Sequence, residues 1–119
     1  MRVTSAIQAA LRTARVPGNV AAKVMNIVDS ALGEHGVRDD SELLSLPDWN
    51  VWMIVIKSIL SPSTKLLRQE GYCHANAALI GSLIVLDERL AQMIREWVKA
   101  RCGAGLDPCC RNPQCCNIA

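Results

Sequence analysis

The stretch Trp49-Asn-Val-Trp-Met-Ile-Val-Ile-Lys-Ser-Ile-Leu60 is apolar almost all the way round a helix. It contains one of two strongly apolar runs, Val51 to Leu60, which only Lys57 interrupts, the other run being Ala77 to Leu86. Each run is about half of the roughly 20 residues that a membrane-spanning helix needs. Asp48 can cap the first run, and Ser61-Pro62 can end it. We therefore predict that residues 49–60 form a central helix of a folded domain.

Helical periodicity extends from this segment in both directions. On the N-terminal side, two amphipathic segments are separated by Pro17-Gly18, and Asn19 is the predicted N-cap of the second. On the C-terminal side, a short segment ends at Gly71, and a long helical region runs from about Cys73 to Ala100 with a break near Gly81. A short helical turn is predicted at 42–46.

The fold class that these segments predict is all-α, because no alternation typical of strands persists. We expect a compact bundle of five or six helices over residues 1–101, followed by an irregular Cys-rich tail over residues 102–119. A chain of 119 residues with 50% hydrophobic residues has room for one core. Its net charge of +2 is too small to indicate a nucleic-acid-binding protein by itself.

The tail contains five of the six cysteines of the chain. Its last four residues, Cys116-Asn-Ile-Ala119, resemble the C-a-a-X box of prenylated proteins such as small GTPases, with Asn117 in place of the usual aliphatic residue. The resemblance implies farnesylation of Cys116 and palmitoylation of upstream cysteines. The upstream candidates are Cys109, Cys110 and Cys115. Stable anchoring takes two such signals, or one lipid with basic residues that meet anionic headgroups. Basic residues near the tail are Arg95, Lys99, Arg101 and Arg111.

Three alternatives for the cysteines remain open. Zinc could be held by thiolates of the tail together with a Cys-His pair from the helical part. That ligand set is Cys102, Cys109, Cys110, Cys115, Cys116, Cys73 and His74. Disulfides suit the even number of cysteines, but the N-terminal residues lack the apolar region of a secretory signal, and disulfides do not persist among reductants. The tail could also be unstructured, with free thiols.

The N-terminal segment is basic and contains no acidic residue from Met1 to Asn26. This pattern is typical of a mitochondrial presequence, of a helix on a membrane surface, and of the first helix of a bundle. Arg12, Arg15 and Lys23 could contact lipid headgroups or nucleic acid, although no aromatic residue alternates with them to stack on bases.

The sequence indicates no catalytic residue. Cys73 and His74 could pair as nucleophile and base, but adjacent residues on a helix diverge by about 100°. We therefore predict that the chain is not an enzyme and has no cofactor, unless zinc is present.

Two short resemblances favour a protein that binds other molecules. Ile59-Leu-Ser-Pro-Ser-Thr-Lys65 resembles a segment of the helical N-terminal domain of influenza-type matrix proteins. Residues from Gly36 to Leu46 are similar to the middle of SAM-type helical interaction modules. Both families imply compact helical domains that bind proteins, membranes or RNA.

The function predicted from the sequence is a small helical interaction protein, anchored to a membrane by lipid on its Cys tail. This description fits a matrix-like, accessory or effector protein. Expected partners are another protein, the cytoplasmic face of a membrane, and a second copy of the chain. The alternative is a zinc-stabilised nucleic-acid-binding protein, such as a viral RNA-binding or silencing-suppressor protein, with a mitochondrial or nuclear location.

Overall fold

The structure, a computed structural model, describes residues 3–37, 42, 45, 49–85 and 87–103. The side chains of residues 49 and 101–103 lie outside this description. In the described ranges the chain forms five α-helices and no strand, which confirms the all-α class. The helices are α1 (Val3–Thr13), α2 (Gly18–Glu34), α3 (Trp49–Gln69), α4 (Ala75–Ile84) and α5 (Glu88–Gly103). Most of the predicted turn at 42–46, and the tail from residue 104 on, lie outside the described residues.

The apolar stripe of each helix faces a shared core. The largest interfaces are those of α1 with α4 and of α2 with α3, and α5 packs on α4. In α1, Val3, Ile7 and Leu11 are buried, as their spacing predicts. The apolar side that a helix on a membrane surface would insert into lipid is therefore inside the protein. The N-terminal segment is the first helix of a bundle.

α3 continues through Pro62 for two more turns, so the prediction that Ser61-Pro62 ends this helix is wrong. A proline inside a helix costs about 3 kcal/mol, because it removes one hydrogen bond and crowds the preceding turn. Burial on both sides of Pro62 offsets this cost. Ile59, Leu60 and Leu67 are all 0% exposed, and each such side chain contributes about 1.5–3 kcal/mol when buried. Pro62 itself lies on the exposed side of the helix.

The long helical region predicted after Cys73 is two helices, one ending at Ile84 and the other beginning at Glu88, so the predicted break near Gly81 is wrong. Gly81 lies within α4, and a Cβ atom added there would meet no atom within 4 Å. The break is stabilised by Asp87, whose Oδ1 accepts a hydrogen bond of 2.8 Å from the backbone N–H of Arg89. This bond is the N-cap interaction that starts α5. The helix then reaches Gly103, two residues past the predicted end of the helical part at 101.

The start of α2 also differs from the prediction. Pro17, with φ −58° and ψ 150°, is the N-cap residue, and Gly18 is the first helical residue. The carbonyl of Pro17 accepts the first bonds of the helix from the N–H groups of Val20 and Ala21, at 3.1 and 2.9 Å. The assignment of Asn19 as N-cap is wrong, because Asn19 already lies inside the helix.

α1, α2 and α3 end in the same hydrogen-bonding motif. In each, an N–H group just beyond the helix bonds to the carbonyl five residues earlier, and the residue before that donor has a positive φ. The bonds are Val16 to Leu11 (3.0 Å), Val37 to Leu32 (2.9 Å) and Tyr72 to Leu67 (2.7 Å). The residues with positive φ are Arg15 (60°), Gly36 (67°) and Gly71 (86°). Glycine adopts this conformation readily, whereas Arg15 adopts it with strain.

Candidate functional site

An exposed surface without acidic side chains lies on α1 and the first half of α2. We define this α1–α2 surface by Gln8, Arg12, Arg15, Ala22 and Asn26, all of which are exposed. Between the two helices runs an open groove of about 580 Å³, whose lining includes Gln8, Arg12 and Asn26. None of the residues that line this groove is Asp or Glu, and the first acidic residue of the chain is Asp29, further along α2. The surface is therefore suited to an anionic partner.

Arg15 is held in place by the turn that ends α1. Its N–H donates to the carbonyl of Arg12 at 3.0 Å, and the next N–H, that of Val16, donates to Leu11. The φ of +60° belongs to the left-handed region, where a non-glycine residue costs of order 1–3 kcal/mol. The equivalent position is glycine at the ends of α2 and α3. Arg15 thus keeps an exposed cationic side chain at a place where glycine would be more stable.

Lys23, the third basic residue predicted to contact headgroups or nucleic acid, has a partner within the protein. Its Nζ lies 3.2 Å from Oε1 of Glu70, at the end of α3. Both side chains are partly exposed, so the pair is screened by solvent. Lys23 therefore contributes less positive charge to the α1–α2 surface than Arg12 and Arg15 do.

The basic residues of α5 have different neighbours. We define the α5 surface by five exposed residues: Glu88, Gln92, Arg95, Glu96 and Lys99. All five line one open groove of about 1020 Å³, together with the exposed Val85. Arg95 and Lys99 were predicted to contact anionic headgroups, but here they share a face with two carboxylates. The surface has mixed charge rather than basic charge. The side chain of Arg101 and the whole of Arg111 lie outside the described part.

A contact that the sequence did not predict attaches α5 to α3. The Arg89 guanidinium lies 4.9 Å from the centre of the buried Trp52 ring and is also paired with Asp87, with Nη2 3.2 Å from Oδ2. The hydrogen bonds from the Arg89 side chain hold the pKa of Asp87 below its usual value of 3.8. The same pairing raises the pKa of Arg89. The local signal was an Asp two residues before an Arg at a helix start, but nothing in the sequence indicated Trp52 as the third member.

Cys73 and His74 lie where α4 begins, and neither is placed as a nucleophile or base. Cys73 is disulfide-bonded. Nε2 of His74 lies 3.0 Å from the carbonyl oxygen of Ala14, just beyond α1, and donates to it in the tautomer that carries this proton. The Tyr72 ring meets the imidazole edge to face, with ring centres 6.2 Å apart. His74 therefore joins the end of α1 to the start of α4.

The zinc alternative has no support from the described residues. Within them, no three His, Cys, Asp or Glu side chains come together as a group that could hold a metal. A sulfur in a disulfide is not a thiolate ligand, so Cys73 is not available in this state. The side chain of Cys102 and all of Cys109, Cys110, Cys115 and Cys116 lie outside the description, so their predicted lipidation and metal roles stay predictions.

Comparison with known proteins adds no relative. No family model matches the chain, and neither a curated protein nor a solved structure is significantly similar to it. The short resemblances to C-a-a-X proteins, matrix proteins and SAM modules therefore stay predictions. Of the helices in the described ranges, none has the length and apolar character needed to cross a bilayer.

Proposed function

We propose that this chain is a small helical interaction protein that binds an anionic membrane surface through its α1–α2 surface. The observation that carries the proposal is the conformation of Arg15. A cationic side chain is kept there at a strained position, next to Val16, which lines a groove that has no acidic residue. Strain of this kind persists where the surrounding structure imposes it, and it is concentrated at functional sites.

A lipid surface fits this site better than a nucleic acid does. No aromatic residue occurs anywhere in α1 or α2, so the surface offers nothing on which exposed bases could stack. The net charge of the chain is only +2, whereas nucleic-acid-binding domains are usually strongly basic. Binding to a layer of anionic headgroups requires positive charge on the protein but no recognition of individual bases.

Charge alone would give weak binding. Each basic residue near an anionic membrane contributes about 1 kcal/mol, so Arg12 and Arg15 together contribute about 2 kcal/mol. The apolar side of α1 is buried and adds no insertion into lipid. Stable attachment therefore needs a second signal, and lipid on the tail cysteines would supply it. The proposed acceptors are Cys109, Cys110, Cys115 and Cys116.

Vesicle sedimentation tests the surface. The full chain without attached lipid should sediment weakly with phosphatidylcholine vesicles that contain phosphatidylserine and not with phosphatidylcholine alone, and added salt should weaken the binding further. Arg12→Gln combined with Arg15→Gly should reduce the bound fraction. The matched control, Lys57→Gln with Lys65→Gln, removes the same charge from exposed positions on α3 and should bind as the original chain does.

Two outcomes would reject the membrane proposal. One is an equal loss of binding in the α1–α2 variant and in the α3 control. The other is salt-sensitive binding to single-stranded RNA without binding to vesicles, which would support the nucleic-acid alternative. The lipid signal is tested separately by the intact mass of the protein from eukaryotic cells, where an acyl or prenyl increment is expected on the tail.

A further inference from the structure

One exposed line of side chains on α5 is not used by the proposed function. Glu88, Gln92, Arg95 and Lys99 are spaced by four, three and four residues, so they lie along a single side of the helix. All four are exposed, and all four line the groove of about 1020 Å³. The opposite side of α5 is buried through Leu90, Met93, Ile94 and Val98. The line of four thus faces outward as a unit.

The charges along this line are ordered from acidic to basic. Glu88 stands in the first turn of α5, Arg95 at its middle and Lys99 in its second half. Arg95 and Lys99 are themselves four residues apart, a spacing at which like charges repel on a helix. An oppositely charged group in the groove would relieve this repulsion. Glu96 lies at the edge of the line and compensates the repulsion between Arg95 and Lys99 only in part.

We infer that this line is the contact surface for a second copy of the chain, with the two α5 helices antiparallel. Reversing the direction of one helix places Glu88 of each copy opposite Lys99 of the other and Gln92 opposite Arg95. Positions 88 and 99 are centred between Met93 and Ile94, and so are positions 92 and 95. A single antiparallel register therefore forms both kinds of pair. A parallel arrangement would place like charges together, which is unfavourable.

The shape of the groove agrees with this occupant. Clefts that enclose small molecules have volumes of about 300–1,000 Å³ and are mostly apolar. The α5 groove, at about 1020 Å³, is open, and six of its nine lining residues are charged or polar. Val85, which is 75% exposed, adds an apolar side chain at one end of the groove. An interface with polar contacts and a small apolar part is typical of weak, reversible association.

The association would place two α1–α2 surfaces in one particle, and two linked contacts bind a membrane more tightly than one does. The inference does not depend on membrane binding, because the dimer is expected in solution without lipid. Exposed charge pairs are screened by salt, so the dimer should dissociate as ionic strength rises.

Charge reversal with sedimentation velocity tests the pairing. Lys99→Glu places a glutamate opposite Glu88 at two sites in the dimer, and Glu88→Lys places a lysine opposite Lys99. Each single variant should raise the dimer dissociation constant about tenfold or more. An equimolar mixture of the two variants should dimerise again. In the mixed dimer, both pairs between positions 88 and 99 are again opposite in charge. The matched control, Lys57→Glu on α3, should dimerise as the original chain does.

The outcomes are distinct. Loss of the dimer in both single variants, with recovery in the mixture, would support the antiparallel α5 pairing. A chain that stays monomeric at every concentration, or a dimer that both single variants leave unchanged, would overturn it. A dimer that survives in a non-reducing denaturing gel is covalent and would also overturn it, because the proposed contact is not covalent. Circular dichroism should show that both variants keep the helical fold.

Discussion

The α1–α2 surface and the α5 surface carry similar basic residues in different electrostatic surroundings. Arg12 lines a groove that has no carboxylate and Arg15 follows it in the turn that ends α1, whereas Arg95 and Lys99 share a groove with Glu88 and Glu96. The sequence predicts contacts with anionic partners for all four of these basic residues. The difference shows that a basic residue defines a binding surface only together with the charges that the fold places beside it.

The backbone beneath the two surfaces differs as well. α5 begins at an ordinary capped turn, in which Asp87 accepts from the N–H of Arg89. α1 ends at a turn that requires the left-handed conformation and contains Arg15 rather than glycine. We therefore expect substitutions near the two surfaces to differ in how they change stability and membrane binding. Three substitutions and one pH series test this expectation.

The largest effect should come from the buried side of α1. Leu11→Ala removes a side chain that is 0% exposed, and it should lower the free energy of unfolding by about 2–5 kcal/mol through lost burial and a residual cavity. Urea unfolding measures the change. The neighbouring exposed variant Arg12→Ala should change stability by about 0.5 kcal/mol or less. If Leu11→Ala were as mild as Arg12→Ala, α1 would not be a core helix, and the separation of its buried and charged sides would fail.

A smaller loss is expected where α5 begins. Asp87→Ala removes the cap of α5 and the partner of Arg89, and it should cost about 0.5–2 kcal/mol. Asp87→Asn keeps an acceptor for the Arg89 N–H and should lose less. Thermal unfolding of the three proteins measures the order. Equal stability of the alanine variant and the original chain would show that this turn does not stabilise the start of α5.

Arg15→Gly should have the opposite sign. Glycine adopts the φ of +60° without strain, so the free energy of unfolding should rise by about 0.5–1 kcal/mol. The same variant should bind phosphatidylserine vesicles less well. A gain in melting temperature together with a loss of binding would show that Arg15 serves binding at the expense of stability. A loss of stability would mean that the Arg15 side chain stabilises the fold instead.

The smallest effect concerns pH. Because the folded pKa of Asp87 lies below 3.8, the unfolded chain takes up a proton at this site first as the pH falls. The contribution of Asp87 to stability is therefore present above about pH 3.8 and is lost as the pH falls through the lower folded pKa. Urea unfolding at a series of acidic pH values should show a shallower decline for Asp87→Asn than for the original chain. Parallel curves would contradict this role of the Asp87–Arg89 pair.

The extent to which the sequence predicted the structure depends on how local each feature is. The buried residues of α1 follow from the spacing of its apolar residues, because one face of a helix repeats every three or four residues whatever lies opposite. Pro62 was wrongly predicted to end α3, because the cost of a proline in a helix is local and the burial that offsets it comes from other helices. Gly81 was wrongly predicted to mark the break between α4 and α5, since glycine permits a break and does not require one.

The candidate surfaces could be predicted from the sequence less completely than the helices, because they depend more on the fold. That residues 1–28 contain no acidic residue could be read directly from the chain, and so could the acidic-to-basic order along α5. The strained conformation of Arg15 could not, because the left-handed position of this turn is occupied by arginine, whereas glycine occupies it in the other two turns. The pair of Lys23 with Glu70 joins residues 47 apart, and the bond from His74 to Ala14 joins residues 60 apart.

The amino-acid order alone thus determines the all-α class, the buried side of the amphipathic helices and the distribution of charge along the chain, because these features depend on residues within a turn or two of each other. Only the tertiary structure decides that α3 passes through Pro62, that Arg89 lies on Trp52, and that Lys23 is paired while Arg12 lines an open groove. These outcomes depend on burial and on charges contributed by other helices. Such terms come from residues far apart in the chain, and they exist only once the helices have packed.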